Sequence, residues 1–303
     1  MMTSIITFLR RGGLGSGSVR GMSAYLDSTS NPRGISVKNY QGSVAGIQRN
    51  DYFTGIPDHG WLVRWGCTSV TNVPLSRQIN TSDAIKTVND KRGFRLWLHE
   101  HNLCPHTVDN LSDFEFWHQA GISWVVRPAT HAQGRNLFVI NSEQELLNVL
   151  HKPCMARGWY ASYLINKSAE YRVYVVSGKV ATVAQKTPGD PTQVAWNVHQ
   201  GGRFDVLPRG QWPMEVCRVA IESFKGSGLD FGGVDVMVGQ ENDAAYCVEI
   251  NSAPSLPLLS DGSVSYRQKC MAKCFKYITE NGKDTLEVDG YNGWRDVIHP
   301  AVL

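Results

Sequence analysis

Gly233-Val234-Asp235-Val236-Met237-Val238 is followed, after the polar loop 239–244, by Ala245-Tyr246-Cys247-Val248-Glu249-Ile250-Asn251. Two β-branched runs around a loop rich in Gly, Asn and Asp read as an antiparallel hairpin. The apolar alternation pairs Val238 with Tyr246, and that register, carried along both strands, sets Asp235 opposite Glu249. Opposed residues hold their Cβ atoms roughly 4.5–5.5 Å apart, so two carboxylates there repel unless a cation or a proton lies between them. Asn251, two residues beyond Glu249, projects from the same face. Asp235, Glu249 and Asn251 are hard oxygen ligands suited to Mg²⁺ or Mn²⁺ that keeps its remaining positions for water and phosphate. A solvated strand face is the plainer reading of the same residues. The Ser252-Ala253-Pro254 loop that ends the strand favours a site.

Working outward, short strands and helices are mixed along the chain. A second hairpin, Tyr171–Val176 and Lys179–Gln185, turns on Ser177-Gly178, and a strand at 159–165 precedes it. Helices are expected at 213–226 and 263–281. Upstream, Ser142 and Glu145 form a capping box that opens a helix ending before Pro153. The strands 123–128 and 137–140 flank a polar Gly134-containing loop, and further helices are expected at 90–102 and 112–120. Residues 22–82 are turn-rich around one strand, Trp61–Trp65, and read as a small α/β unit. Residues 1–21 are glycine-rich with little periodicity and read as a loose leader. The expected division is therefore a flexible leader at 1–21 and units at 22–84, 85–158 and 159–303.

With 42% apolar and 19% charged residues, the chain can bury a core. A formal charge of +3 is too small for a polyanion-coating surface, so nucleic acid is not indicated. Apolar runs fall short of the ~20 residues that a membrane span needs. The N-terminal run Ser4–Leu9 is too short for a secretory signal, and a cytoplasmic location is expected. Seven scattered cysteines suggest neither a disulfide framework nor a zinc ribbon. His99 and His101 stand at i,i+2 on a helix and point apart, which argues against zinc. Gly13-Leu14-Gly15-Ser16-Gly17-Ser18 follows no strand and fails the dinucleotide fingerprint, and no GxxxxGK[ST] run exists. Most of the nine tryptophans are expected in the core, with Trp196 and Trp212 candidates for a substrate entrance.

Four stretches in order carry a resemblance: Asn89-Asp90-Lys91 opening a helix; Val125-Val126-Arg127-Pro128 with the Gly134 loop; Glu170-Tyr171-Arg172-Val173-Tyr174-Val175-Val176 with Gly178-Lys179-Val180; and Gly233-Val234-Asp235 with Val248-Glu249-Ile250-Asn251-Ser252-Ala253-Pro254. Over about 85–303 this order resembles the ATP-grasp superfamily, nearest to the ribosomal-protein glutamate ligases and the related ligases encoded by bacteriophages. The resemblance implies two α+β subdomains that close over ATP and Mg²⁺ (or Mn²⁺). It places Lys91 and Arg127 on the phosphates, Arg127 standing where the family usually has lysine before proline. Gly134 and Arg135 would fold over the β- and γ-phosphates. Tyr163 and Leu164 would lie near adenine, and Glu170 near the ribose. Lys186 would contact the nucleotide and join Arg172 and Asn197 as a catalytic candidate.

Asn197-Val198-His199-Gln200-Gly201-Gly202 is similar to a family segment that carries an arginine two residues before its Asn, where this chain has Ala195. Lys186 or Arg203 are the expected substitutes. The reaction implied is ATP-dependent ligation of a carboxylate to an amine or amino acid through an acyl phosphate, with ADP and phosphate released. A phosphotransferase acting on a hydroxyl and a non-catalytic nucleotide-binding protein are the alternatives. The partners expected are the two small-molecule or peptide substrates, with a homo-oligomer open.

Overall fold

The computed structural model describes residues 5–11, 16–29, 36–42, 60–118, 121–131, 136–190, 192–194, 196, 201–283 and 294–303. Three sheets organise them. The first runs β2-β1-β3-β4, all parallel, from Ile5–Arg11 (β1), Ser36–Gly42 (β2), Trp61–Trp65 (β3) and Gln78–Ile79 (β4). The second runs β5-β8-β6-β7, antiparallel, from Thr107–Val108 (β5), Trp124–Pro128 (β6), Phe138–Ile140 (β7) and Trp159–Tyr163 (β8). The third runs β11-β10-β9-β12-β13, also antiparallel, from Lys167–Val176 (β9), Lys179–Thr187 (β10), Arg203–Val206 (β11), Phe231–Gly239 (β12) and Ala245–Asn251 (β13). The helices are Ser16–Thr29 (α1), Ser82–Asn89 (α2), Lys91–Glu100 (α3), Leu111–Trp117 (α4), Glu143–Leu150 (α5), Met214–Lys225 (α6), Tyr266–Asn281 (α7) and Trp294–Val297 (α8).

The expectation of a loose leader is corrected here. Residues 5–11 form β1, an interior strand of the first sheet, and Ile6, Phe8 and Leu9 are buried. The run Ile5-Ile6-Thr7-Phe8-Leu9 has strand composition, and the glycines at 12, 13, 15 and 17 that follow masked it. The excursion after β10 also holds a strand, β11, whose four residues are too few and too polar for alternation to reveal them.

Ser177 (φ 47) and Gly178 (φ 77) both take left-handed backbone, which gives the β9–β10 turn the twist its strands need. Val173, Val175, Val183, Val234 and Val236 are fully buried in the main hydrophobic core. Each such side chain contributes about 1.5–3 kcal/mol, which holds the third sheet rigid under the polar face described below.

Two contacts fix the first unit against the third sheet. Gly66 has φ 65, and a Cβ there would fall 2.8 Å from Ala253 Cβ. Asn80, also left-handed at φ 63, accepts from Asp230 N (2.8 Å) and Phe231 N (3.0 Å) and donates to Phe231 O (3.0 Å). Its own N–H donates to Asp230 Oδ2 at 2.6 Å. Asn80→Ala removes three buried bonds and keeps a strained backbone, so it is expected to cost about 3 kcal/mol in a urea unfolding curve. Unchanged stability would show that this latch carries no load.

Candidate active site

The β12–β13 register brings Asp235 opposite Glu249, as the sequence suggests, but by a different route. Val238 pairs with Ala245 and Met237 with Tyr246, one residue away from the expected Val238–Tyr246 pairing. A bulge between Asp235 and Val236 then restores the register, with Gly233 opposite Asn251. The extra residue is Val248, and the bulge leaves carbonyls that need donors. Arg95 supplies them: Nη1 donates to Cys247 O at 3.2 Å and Nη2 to Val248 O.

Arg95 thereby pins α3 to the bulge. Lys91 lies one turn earlier on the same face, where Asp90 caps the helix by accepting from Gly93 N at 3.1 Å. The consequence is a placed charge: Lys91 Nζ is 2.8 Å from Glu249 Oε1 and donates to Ile250 O at 3.1 Å. Burial pushes the Glu249 carboxyl up, and Lys91 outweighs it and holds the group below the usual range.

The row continues through the sheet, because directly paired residues share a face. Asp235 is opposite Arg172 on β9, which grips it in a two-point fork: Nε to Oδ1 at 2.6 Å and Nη2 to Oδ2 at 2.7 Å. Lys186 on β10 reaches Asp235 Oδ2 at 3.1 Å and also pairs with Glu170, which Lys167 holds from the other side at 2.5 Å. An opposite charge at about 4 Å is worth on the order of 4 kcal/mol near a protein surface, and here such pairs outnumber the one Asp235–Glu249 repulsion. Burial raises the Asp235 carboxyl, but Arg172 and Lys186 hold it at about 2. Burial and neighbouring Arg172 pull the Lys186 ammonium down, but Asp235 and Glu170 outweigh them and raise it.

The second sheet contributes the opposite wall. A cleft is lined by Lys91, Arg95, His131, Tyr160, Val248 and Glu249. Arg127 pairs with Tyr160 across β6 and β8, and its Nε and Nη2 are buried with no hydrogen-bond partner. Burial lowers its basicity. His131 Nε2 lies 2.8 Å from Tyr160 OH, and burial together with Arg127 drops its pKa to about 3, so the ring is neutral at ordinary pH. Orphaned guanidinium nitrogens are what an incoming phosphate would satisfy.

Two opposed carboxylates and one amide oxygen on the same face are donor types that suit a divalent cation, with Lys91 now neutralising Glu249 and Arg172 and Lys186 holding Asp235. Asn251 stands beside the pair as read. Gly134, Arg135 and Asn197 lie outside the described residues.

Tyr163 and Leu164 are at the end of β8 away from Arg127, and their N–H groups already donate to His106 O (2.9 Å) and Ser123 O (2.8 Å). Those two N–H groups are therefore not available to read a base. Arg203, one of the expected substitutes for the arginine missing at Ala195, is exposed and paired with Asp205, while Lys186 is central. Trp212 is buried with Nε1 bonded to Leu207 O at 3.0 Å, a core residue rather than an entrance. Sequence reading missed Arg95, although its i,i+4 spacing from Lys91 was a usable signal. It also missed Lys167 and Arg267.

Three sheets with a cationic wall facing a carboxylate row define an ATP-grasp ligase. The chain belongs to the RimK-like ATP-grasp family, whose domain model matches residues 106–269. Its fold is similar to the ATP-grasp ligase PsnB complexed with a minimal precursor, Mg and ADP, at 12% identity and a TM-score of 0.60, covering 90% of this chain and 97% of that one. It is likewise similar to D-alanine–D-alanine ligase from Bacillus anthracis, at 14% identity and a TM-score of 0.58, covering 92% and 99%. A third likeness is to the macrocyclase MdnC bound with precursor peptide MdnA from Microcystis aeruginosa, at 12% identity and a TM-score of 0.58, covering 90% and 99%. No curated protein sequence matches the chain. No helix among the described residues is long and apolar enough to cross a membrane.

Proposed function

We propose that this protein is an ATP-dependent carboxylate–amine ligase working through an acyl phosphate. The observations that carry the reading are the cleft that holds Lys91 and Glu249, the unpartnered nitrogens of Arg127, which pairs with cleft-lining Tyr160, and the Asp235–Arg172–Lys186 cluster that faces Glu249 across the β12–β13 pair. The units at 85–158 and 159–303 are the two that close on ATP.

A carboxylate is resonance-stabilised and does not accept an amine at neutral pH. One of its oxygens attacks the γ-phosphorus, the bond to the β-phosphate oxygen breaks, and ADP leaves with the electron pair. The amine nitrogen then attacks the acyl carbon and loses a proton, and phosphate departs with its oxygen. Phosphoryl transfer between anions needs alignment and charge neutralisation more than covalent help. Lys91 and Arg127 would bind the phosphates, and Arg172 and Lys186 would orient Asp235. Asp235, Glu249 and Asn251 would hold Mg²⁺, which neutralises charge on the transferring group.

Incubation with Mg-ATP and a pool of amino acids, polyamines and peptides should give ADP, phosphate and a new amide. A stable phosphorylated product would favour transfer to a hydroxyl and overturn the proposal. Arg127→Met is expected to raise the KM for ATP about thirtyfold, because two charge-assisted donors are lost. Arg127→Lys should recover part of this in the same steady-state assay; equal KM values in all three proteins would remove Arg127 from the phosphate site.

A further inference from the structure

Outside the carboxylate row, one cation stands apart. Arg267, the second residue of α7, is buried over the third sheet, with Nη1 donating to Tyr174 OH at 3.2 Å and Nε without a partner. Tyr174 OH in turn donates to Ser255 O at 3.1 Å, so the tyrosine is held by the loop that follows β13. Among the described residues no carboxylate lies within ion-pair distance of Arg267, whereas Arg172, Lys186 and Lys167 all have one.

A guanidinium taken out of water without a counter-ion is costly, and the cost is met when an anion arrives. Its surroundings add to the demand. Arg267, Arg172 and Lys186 stand 5.5, 4.8 and 5.7 Å from the centre of one ring, that of half-buried Phe204 on the edge strand β11. Three cations around one aromatic face share only Asp235 and Glu170, and Glu170 is divided with Lys167. The local balance is short of negative charge on the side of Arg267.

We infer that Arg267 seats the carboxylate that ATP phosphorylates, holding an oxyanion above Phe204 beside Arg172 and Lys186. This rests on the ligase reading above and assigns the acid half of its substrate. The planar fork of arginine suits both a carboxylate and the acyl phosphate that replaces it.

The test uses inorganic phosphate as probe, titrated calorimetrically into the full-length protein saturated with Mg-ADP, with acetate as competitor. Arg267→Gln is expected to weaken phosphate binding at least tenfold and leave ADP affinity within about twofold. Arg218→Gln, on the exposed side of α6, is expected to leave phosphate binding unchanged, and Arg267→Lys should fall between wild type and Arg267→Gln. Acetate should displace phosphate from the wild type. Phosphate binding indifferent to Arg267, or no phosphate binding to the wild-type ADP complex, would assign the guanidinium to fold architecture and overturn the inference alone. Failure of acetate to compete would overturn the carboxylate assignment. Failure of Mg-ADP to bind at all would instead sink the ligase reading with it.

Discussion

Glu249→Gln is expected to cut kcat/KM about a thousandfold while the protein stays folded. The substitution keeps shape and removes one charge from the position where a divalent cation would be held, and a loss of that size corresponds to about 4 kcal/mol of transition-state stabilisation. Folding should barely notice, because the side chain is 26% exposed and its ion pair among the described residues is to Lys91, which also has the Ile250 carbonyl. Phosphate release under Mg-ATP and a thermal melt give the two readouts. More than a tenth of wild-type activity in the variant would take Glu249 out of the proposed metal site.

Asp235→Asn should behave differently although Asp235 directly faces Glu249. Its carboxylate is 7% exposed and is, among the described residues, the one that ion-pairs with Arg172, so the change leaves a buried guanidinium without that counter-ion. Breaking a buried pair by removing one partner costs about 3–5 kcal/mol, which for a chain of this size is a fall in Tm of roughly 10 °C. The pH dependence has a definite sign. A folded-state value of about 2 lies below the ordinary carboxylate value near 3.9, so the charge contributes stability above about pH 4 and that contribution is lost as pH falls through 2. The gap between wild type and Asp235→Asn should therefore narrow by about 2 kcal/mol between pH 4 and pH 2. A constant gap, or an unchanged Tm at pH 7, would contradict the ion-pair account.

The two variants separate what the row does for chemistry from what it does for folding, and they show why only part of the site was legible. The Asp235–Glu249 juxtaposition could be read from alternation, yet the register that produces it depends on a bulge at Val248, and bulges leave little mark in a single sequence. Lys91 was readable as a charged residue opening a helix. Its aim at Glu249 was not, since it depends on Arg95 satisfying bulge carbonyls about 150 residues away in the chain. Lys186 was readable as a candidate but not as the bridge between Glu170 and Asp235, a role fixed by three neighbouring strands. Residues 5–11 were misread because the glycines that follow outweighed a short strand run that is buried in the first sheet. Arg267 gave no local signal at all; on a helix, one arginine among polar neighbours is ordinary, and only tertiary packing buries it over Phe204.

The central claim is that ATP activates a carboxylate. Once an acid that supports turnover is identified, both of its carboxylate oxygens can be replaced with the heavy isotope and the released phosphate analysed by mass spectrometry. Attack of the carboxylate on the γ-phosphorus, followed by loss of phosphate to the amine, moves one labelled oxygen into each phosphate. That transfer is the predicted result, and unlabelled phosphate formed together with the amide would contradict it.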